Sequence, residues 1–389
     1  MTHDGARTSL FVAERGAFPR REKREMSDEV WTIHAALDWC RSYLQRKGDE
    51  NPRLSAEWLL CEACHMRRVE LYVNFERPLS PDERATLRDW VARRGAGEPL
   101  QYITGEVAFR HIAVKVREGV LIPRPETEVL VSEALALLPA PERRRALDST
   151  LTVDEFEELQ AEAAAKADLE ASGVVDGALP GQDGARGVGD EVERVADATI
   201  KASREEADSS CDDVLYVADI CTGSGCIACS IAFENPKTRV LACDIAPEAI
   251  ALAKENVAAL GLEKHVAVLQ GDLGAPVGDR FMGKLSLVVS NPPYIPTQVL
   301  DSMPTEVTEH EPELALDGGC DGLDLYRPLA TWAIRALAAG GGFAVELHET
   351  CLDAAATFAE SCGFTDVRIV DDLAGRPRVL TARKPNVVA

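Results

Sequence analysis

The chain has 389 residues, which allows one large domain and a smaller one, because single hydrophobic cores rarely grow beyond roughly 250 to 300 residues. Its formal net charge of -23 at pH 7 argues against tight binding of nucleic acid, since such binders gain affinity from Lys and Arg that neutralise phosphates. No apolar run approaches the roughly 18 residues of a membrane span. The expected partner is therefore a small molecule or a protein, and no membrane or direct nucleic-acid contact is predicted.

Cysteine usage indicates the compartment. The 11 cysteines fall in segments with the periodicity of core helices and strands, which favours small apolar thiols in a reducing, cytoplasmic setting. Two C-x-x-C pairs, Cys61/Cys64 and Cys226/Cys229, leave a zinc site as an alternative. Because each pair lies within a helical pattern rather than a turn-rich knuckle, we favour buried packing and predict no metal.

The first 25 residues carry several arginines and no apolar stretch of signal-peptide length. We interpret residues 1–25 as a disordered leader, with either Met1 or Met26 as the true start. An organellar transit peptide is the alternative, although acidic residues in this segment weaken its acid-poor signature.

Residues 26–97 are predicted to form a small helical domain. Ser27 can cap a first helix, and Ser80-Pro-Asp-Glu83 has the pattern of a capping box that opens another. A segment between them, Leu54 to Ala63, is also helical in pattern. The apolar stripe of the first helix runs through Val30, Ile33, Leu37, Cys40 and Leu44.

Residues 98–140 are predicted to hold a connecting β-hairpin and helix. Residues 141–213 are acidic, rich in Ala and Gly and nearly free of aromatics, a composition too polar to offset the entropy of folding. We interpret this segment as a disordered insertion. It carries more than half of the net negative charge, so the remaining chain is only moderately acidic and the argument against nucleic acid is weaker than -23 suggests.

In residues 214–386, short β-branched runs alternate with helical patterns, which predicts a parallel sheet covered by helices on both faces. In such sheets ligands bind outside the carboxyl ends of the strands, where the strand order reverses. The predicted strands are Val214 to Ile220, Arg239 to Cys243, His265 to Leu269, Leu285 to Ser290 and Gly342 to Leu347. The predicted helices surround Ile227 to Phe233, Pro247 to Leu260, Leu323 to Ala338 and Glu349 to Cys362.

The first of these strands ends in a glycine-rich turn, directly before a helix. Glycines let the backbone approach a ligand and present helix N-terminal amides to it. Such turns occur in many nucleotide-binding folds, so this one is weak evidence alone. The turn comprises Asp219, Ile220, Cys221, Thr222, Gly223, Ser224 and Gly225.

The next two strands end in acidic residues that suit a nucleoside. Asp244 can accept hydrogen bonds from both ribose hydroxyls, with a cap for the helix at Pro247 as its alternative role. Asp272 can accept from an exocyclic adenine amine while Leu273 packs against the ring, with an ordinary strand-exit turn as the alternative.

The fourth strand runs into Asn291-Pro292-Pro293-Tyr294, the most specific signal in the chain. The prolines remove two backbone donors, so carbonyls and the Asn291 side chain face a ligand as acceptors. Two acceptors on the N–H groups of a planar amide or aromatic amine raise electron density on its weakly nucleophilic nitrogen, and Tyr294 can stack on the plane. A rigid loop is the alternative role of this segment.

Together, the nucleoside site and the Asn-Pro-Pro-Tyr loop predict an S-adenosylmethionine-dependent methyltransferase. Such an enzyme needs to align its substrates and does not need a His or Cys nucleophile. The predicted catalytic residues are Asn291, Pro292 and Tyr294.

These motifs resemble the release-factor glutamine N5-methyltransferase family of the HemK or PrmC type. The resemblance covers roughly Met26 to Lys384 apart from the acidic insertion. It rests on the glycine turn, Asn291 to Tyr294, Glu98-Pro-Leu-Gln-Tyr-Ile-Thr-Gly105, Leu121-Ile-Pro-Arg-Pro-Glu-Thr-Glu128, Glu311-Pro-Glu-Leu-Ala-Leu316 and Asp372-Leu-Ala-Gly-Arg376.

The resemblance implies a seven-stranded, Rossmann-like α/β methyltransferase domain and an N-terminal helical domain that helps bind a protein substrate. It implies that Cys221 to Gly225, Asp244, Leu273 and Asn291 line the cofactor, and that Asn291 to Tyr294 hold the substrate. That substrate would be the glutamine in the Gly-Gly-Gln motif of peptide chain release factors.

Cys221 stands where many relatives have glycine, and the insertion separates the Pro-Arg-Pro-Glu-Thr segment from the first strand. A cysteine there also occurs in sister enzymes that methylate a glutamine of a ribosomal protein, which is the first alternative substrate. A nucleic-acid adenine N6-methyltransferase could use the same acceptors on a flipped base, but the chain lacks a basic target-recognition region. A binding module without activity is the remaining alternative.

Overall fold

The structure, a computed structural model, is described for residues 31–138, 160, 214–300, 303 and 310–386. The predictions made for the leader and for all of the insertion except Gln160 lie outside the described residues. The chain divides into two compact units, the first ending at Leu100 and the second beginning at Gln101. Within the described part of the chain, no helix is long and apolar enough to cross a membrane.

The first unit is helical, as the apolar stripes predict. Thr32 caps α1: its hydroxyl accepts from the backbone N–H of Ala35 over 3.2 Å, and the helix begins at Ile33. The predicted cap, Ser27, lies outside the described residues. The capping box is confirmed, because Ser80 and Glu83 each accept the other's backbone N–H. The helices are α1 (Ile33–Lys47), α2 (Pro52–Cys64), α3 (Arg68–Val73) and α4 (Pro81–Arg94).

A short helix, α5 (Leu100–Thr104), crosses the boundary between the units and precedes a two-stranded hairpin and a longer helix. The hairpin comprises β1 (Glu106–Phe109) and β2 (Ile112–Lys115), and the helix is α6 (Thr127–Leu137). The alternating part that follows comprises β3 (Leu215–Ile220), α7 (Cys226–Glu234), β4 (Thr238–Asp244), α8 (Pro247–Ala259), β5 (Val266–Gln270), β6 (Leu285–Ser290), α9 (Thr297–Leu300), α10 (Tyr326–Ala336), β7 (Leu337–Glu346), α11 (Leu352–Cys362), β8 (Thr365–Asp371) and β9 (Pro377–Arg383).

Within the described residues the main sheet has seven strands in the order β5-β4-β3-β6-β7-β9-β8, which confirms the α/β fold class. The neighbours from β5 to β7 pair in parallel, but β9 is antiparallel to both β7 and β8, so the sheet is not parallel throughout. Sequence patterns did not assign β8 and β9. Strand β8 is an edge strand with a largely exposed, polar sequence, and it lacks the apolar run that marks a buried strand.

Helices cover both faces of this sheet because side chains alternate across each strand. In β3, Tyr216, Ala218 and Ile220 join one buried cluster, which also contains α10 and α11 residues. Leu215 and Val217 join the opposite cluster, with residues of α6, α7, α8 and the hairpin. The two C-x-x-C pairs lie in α2 and α7, as their helical patterns predict.

Candidate active site

The glycine turn and the Asn-Pro-Pro-Tyr loop leave the sheet side by side. Ile220, the last residue of β3, pairs with Ser290, the last residue of β6, and the Ser290 hydroxyl donates to the Ile220 carbonyl over 2.6 Å. The strand order reverses between these two strands, since the chain proceeds outward from β3 to β5 and then returns to β6 on the other side. Cys221 and Asn291 therefore begin neighbouring loops at the crevice where such sheets bind ligands.

Left-handed backbone conformations shape the glycine turn. Cys221, Gly223 and Gly225 have φ angles of 60°, 56° and 79°. Gly225 caps α7, and a Cβ there would lie 3.2 Å from the Cβ of Ala253 in α8. A side chain at Gly225 would therefore crowd α8 as well as strain the backbone. Cys221 holds a conformation that glycine adopts at lower cost.

Asp244, at the end of β4, joins the turn to the next loop. Its Oδ2 accepts the backbone N–H of Gly223 over 2.9 Å, and its Oδ1 accepts that of Ala246 over 3.0 Å. Burial raises the pKa of the carboxyl, and these backbone hydrogen bonds oppose the rise. Helix α8 has Ala246 as its N-cap, without a side-chain cap. Each carboxylate oxygen can accept a second hydrogen bond, so Asp244 retains capacity for a ligand.

These loops enclose a cavity of about 250 Å³. Of the predicted cofactor residues, the following line it: Cys221, Thr222, Gly223, Ser224, Asp244, Asp272, Leu273 and Asn291. Gly225, the remaining member, caps α7 instead. Two further motifs, at residues 121–128 and 311–316, also line the cavity, although the sequence predicted no ligand role for them. The first contributes Leu121, Pro123, Arg124 and Thr127, and the second contributes Pro312, Leu314 and Ala315.

The Asn-Pro-Pro-Tyr loop contributes Asn291 and Pro293 to the cavity wall, whereas Pro292 and Tyr294 are not part of that wall. The Tyr294 hydroxyl donates to Oε1 of Glu346 over 3.0 Å. Close backbone packing supports the loop from outside: a Cβ at Gly318 would lie 2.6 Å from Cα of Tyr294, and one at Gly322 would clash with the Tyr294 carbonyl oxygen. The loop is thus held rigidly at the mouth of the crevice.

Comparisons with known proteins identify the family of this chain. The family model of the PrmC N-terminal domain matches residues 35–105, and that of the methyltransferase small domain matches residues 210–310. A release factor glutamine methyltransferase of Geobacter sulfurreducens is 37% identical, over 91% of this chain and 98% of its own length. Those of Moorella thermoacetica and Rhodopirellula baltica are 34% and 32% identical, over 90% and 92% of this chain and 98% of their own lengths. The chain belongs to the release factor glutamine methyltransferase family.

In this methyltransferase, two side chains that sequence reasoning missed stand directly behind Asn291. Its Nδ2 donates to the hydroxyl of Thr127, the first residue of α6, over 3.2 Å. Burial raises the pKa of Glu346 at the end of β7, and hydrogen bonds from Thr127 and Tyr294 oppose that rise. Thr127 belongs to the motif at residues 121–128, to which the sequence assigned no role in catalysis. Glu346 carried a weaker signal, a single acidic residue closing an otherwise apolar strand.

Asp219 is a third residue without a predicted role. It is fully buried at the end of β3, where its Oδ2 accepts from the Thr222 hydroxyl over 2.6 Å and from the N–H of Ala228 over 3.1 Å. Burial raises its pKa to about 7. Asp219 therefore ties the glycine turn to the first turn of α7 without itself lining the cavity.

Charge in the cavity of this family member favours a cation. The ionisable carboxyls of the wall are Asp244, Glu248 and Asp272. Arg124 also lines the cavity, but its guanidinium donates to both carboxylate oxygens of Glu311, over 2.8 and 2.6 Å. The thiols of the wall are neutral, since burial raises the pKa of Cys226 to about 12 and that of Cys243 well above its usual range. A positively charged ligand would meet uncompensated acidic groups here.

Proposed function

We propose that this enzyme transfers a methyl group from S-adenosylmethionine to the side-chain amide nitrogen (N5) of the glutamine in the Gly-Gly-Gln motif of peptide chain release factors. One observation carries the proposal: the same cavity is lined by Asn291 and Pro293, by the glycine turn and by Asp244. The names of the relatives at 32% to 37% identity support the substrate. The cysteines of the described residues are free thiols and most of them are buried, which favours a cytoplasmic setting.

The residues around the cavity suit S-adenosylmethionine. We assign the ribose to Asp244, the adenine to Asp272 and Leu273, and the amino-acid part to the turn from Cys221 to Gly225. Gly223 leaves room for a ligand against the backbone, since a Cβ there would meet nothing closer than Val120 at 3.9 Å. The acidic wall suits a sulfonium, and Asn291 would lie at the edge of the cofactor.

The protein's part in the reaction is alignment. When bound, the cofactor supplies an activated methyl group on a sulfonium. The Asn291 side-chain oxygen and the Pro292 carbonyl would accept the two N–H groups of the glutamine amide, which fixes its plane and raises electron density on its nitrogen. Tyr294, held by Glu346, would pack against that plane. The glutamine nitrogen would form its bond to the methyl carbon as the carbon–sulfur bond breaks, which leaves a neutral thioether. The nitrogen would then lose one proton to water, so the protein needs positioning more than a strong base.

Mass spectrometry after incubation with labelled S-adenosylmethionine tests the proposal. We expect one labelled methyl group on the Gly-Gly-Gln glutamine of a bacterial-type release factor. The matched control is a release factor in which that glutamine is replaced by glutamate, which should stay unlabelled. A ribosomal protein and a double-stranded DNA are assayed alongside; preferential labelling of either would overturn the proposed substrate.

A further inference from the structure

We propose that Thr127 and Glu346 are positioning residues that set the polarity of the Asn291 side chain, so that its oxygen faces the methyl-accepting amide. The inference rests on the proposed function, because it assigns those residues to the same amide acceptor. It concerns three side chains from three different elements: the start of α6, the end of β7 and the loop after β6.

Polar contacts join the three groups, two of which are buried. Thr127 and Glu346 are 2% and 1% exposed. Asn291 Nδ2 donates to Thr127 Oγ1 over 3.2 Å. The Thr127 hydroxyl lies beside the Glu346 carboxylate as a hydrogen-bond donor, although Oε2 of that carboxylate lacks a hydrogen bond of standard geometry. Oε1 already accepts a hydrogen bond from Tyr294, so Oε2 is the atom to which Thr127 can donate.

Donor and acceptor counting fixes the direction of this chain. A carboxylate can only accept hydrogen bonds, whereas a threonine hydroxyl has one proton to donate. When Thr127 gives that proton to Glu346, its oxygen can only accept from Asn291. The amide of Asn291 must then turn its NH₂ group toward Thr127, which leaves Oδ1 as the end available to a substrate.

The direction of this chain requires Glu346 to be charged, and its surroundings act on that charge in opposite ways. Burial raises its pKa, while the hydroxyls of Thr127 and Tyr294 and the positive charge of Arg378 favour the carboxylate. A buried carboxylate oxygen without a donor is costly, so we place the rotatable Thr127 proton on Oε2 of Glu346.

The opposite polarity would fail chemically. With its amide reversed, Asn291 would point an N–H at the N–H of the substrate glutamine, and two donors cannot pair. Asparagine is close to symmetric in shape, so packing alone does not choose between the two orientations. The choice therefore depends on the hydrogen bonds behind it.

Single substitutions at Thr127 separate hydrogen bonding from shape. Thr127→Val keeps the shape and removes the hydroxyl, and we expect kcat to fall about tenfold with little change in KM for the cofactor. Thr127→Ser restores a hydroxyl and should recover most of that loss. Equal activity of the valine and wild-type enzymes, or no recovery by serine, would overturn the inference.

Reversing the whole chain gives the sharpest test. Asn291→Asp removes the donor that Thr127 accepts, and we expect kcat to fall about thirtyfold. Adding Glu346→Gln supplies a donor from the other side, so that Thr127 accepts from the new amide and donates to the new carboxylate at position 291. One oxygen at position 291 again faces the substrate. We expect the double variant to be about five times more active than Asn291→Asp alone.

Wild-type enzyme and folding controls keep the outcomes distinct. If the wild-type enzyme labels another amide substrate and does not label the release factor, the proposed substrate is refuted. The relative activities of the variants would then be measured on that other amide. Labelling of the release factor with a double variant no better than Asn291→Asp would refute the polarity inference alone. Thermal melts and cofactor titration identify a variant that has lost its fold. If a variant with Glu346→Gln does not fold, the activities of Thr127→Val and Thr127→Ser test the polarity inference instead.

Discussion

The backbone N–H of Gly223 donates to Oδ2 of Asp244 over 2.9 Å, which joins the turn after β3 to the end of β4. One carboxylate therefore shapes the glycine turn and is available to a ligand in the cavity beside it. A change at Asp244 should act on both.

We expect Asp244→Ala to weaken binding of S-adenosylmethionine about tenfold to a hundredfold, since hydrogen bonds to a charged group contribute roughly 1.5 to 3 kcal/mol. Asp244→Asn should lose nearly as much, because its NH₂ group would oppose the N–H of Gly223 or of Ala246. Titration calorimetry measures the effect. Asp279→Asn, an exposed carboxyl outside the cavity wall, is the matched control and should bind as the wild type does. Unchanged affinity in Asp244→Ala would remove Asp244 from the site.

Asn291→Ala should lower kcat about a hundredfold or more, a loss of transition-state stabilisation on the order of 3 kcal/mol. The substitution removes the acceptor oxygen and leaves the rest of the loop on Gly318 and Gly322. Binding of the cofactor should persist. Single-turnover methylation of a release factor, compared with cofactor titration, separates the two effects. Wild-type turnover in this variant would show that the side chain takes no part in catalysis.

The stability of the second unit should depend on pH through Asp219. Its pKa rises on folding from the ordinary value of 3.8 to about 7, because burial disfavours the charge. Its contribution to stability is fully present below pH 3.8 and is lost as the pH rises through about 7. Asp219→Asn removes this dependence while keeping an acceptor for Thr222. The melting temperature of the variant relative to the wild type should therefore be higher at pH 8 than at pH 5.

Thermal melts followed by circular dichroism at the two pH values provide this measurement. Asp279→Asn, at an exposed carboxyl, should show the same difference from wild type at both pH values. A difference for Asp219→Asn that stayed constant with pH would mean that Asp219 titrates normally in the folded protein.

The ion pair of Arg124 and Glu311 should hold two walls of the cavity together. The Glu311 side chain is 2% exposed, so Arg124→Met leaves a buried carboxylate without its guanidinium. Because Arg124 is 36% exposed, solvent screening reduces the cost, and we expect a loss of stability on the order of 1 to 2 kcal/mol. The double variant with Glu311→Met should be more stable than Arg124→Met. Urea unfolding of the four proteins tests the pair, and strictly additive losses would contradict it.

Local signals in the sequence determined much of the fold and of the site. Glycines before a helical pattern, an acidic strand end and Asn291-Pro-Pro-Tyr each carry their chemistry within a few residues. The strand and helix periods around them sufficed to predict an α/β sheet with its ligand at the carboxyl edge. The predicted extents of the domains stay predictions, as do the individual roles of the site residues.

The tertiary structure decided what no local pattern contains. Thr127 meets Asn291 across 164 residues of sequence, and the acidic insertion lies within that interval. Glu346 reaches the same point only because β7 lies next to β6 in the sheet. Strand β8 is held by pairing with β9 at the sheet edge rather than by an apolar run of its own. Periodicity records which face of an element is buried, whereas strand order and the side chains that meet at a strand end depend on how distant elements pack.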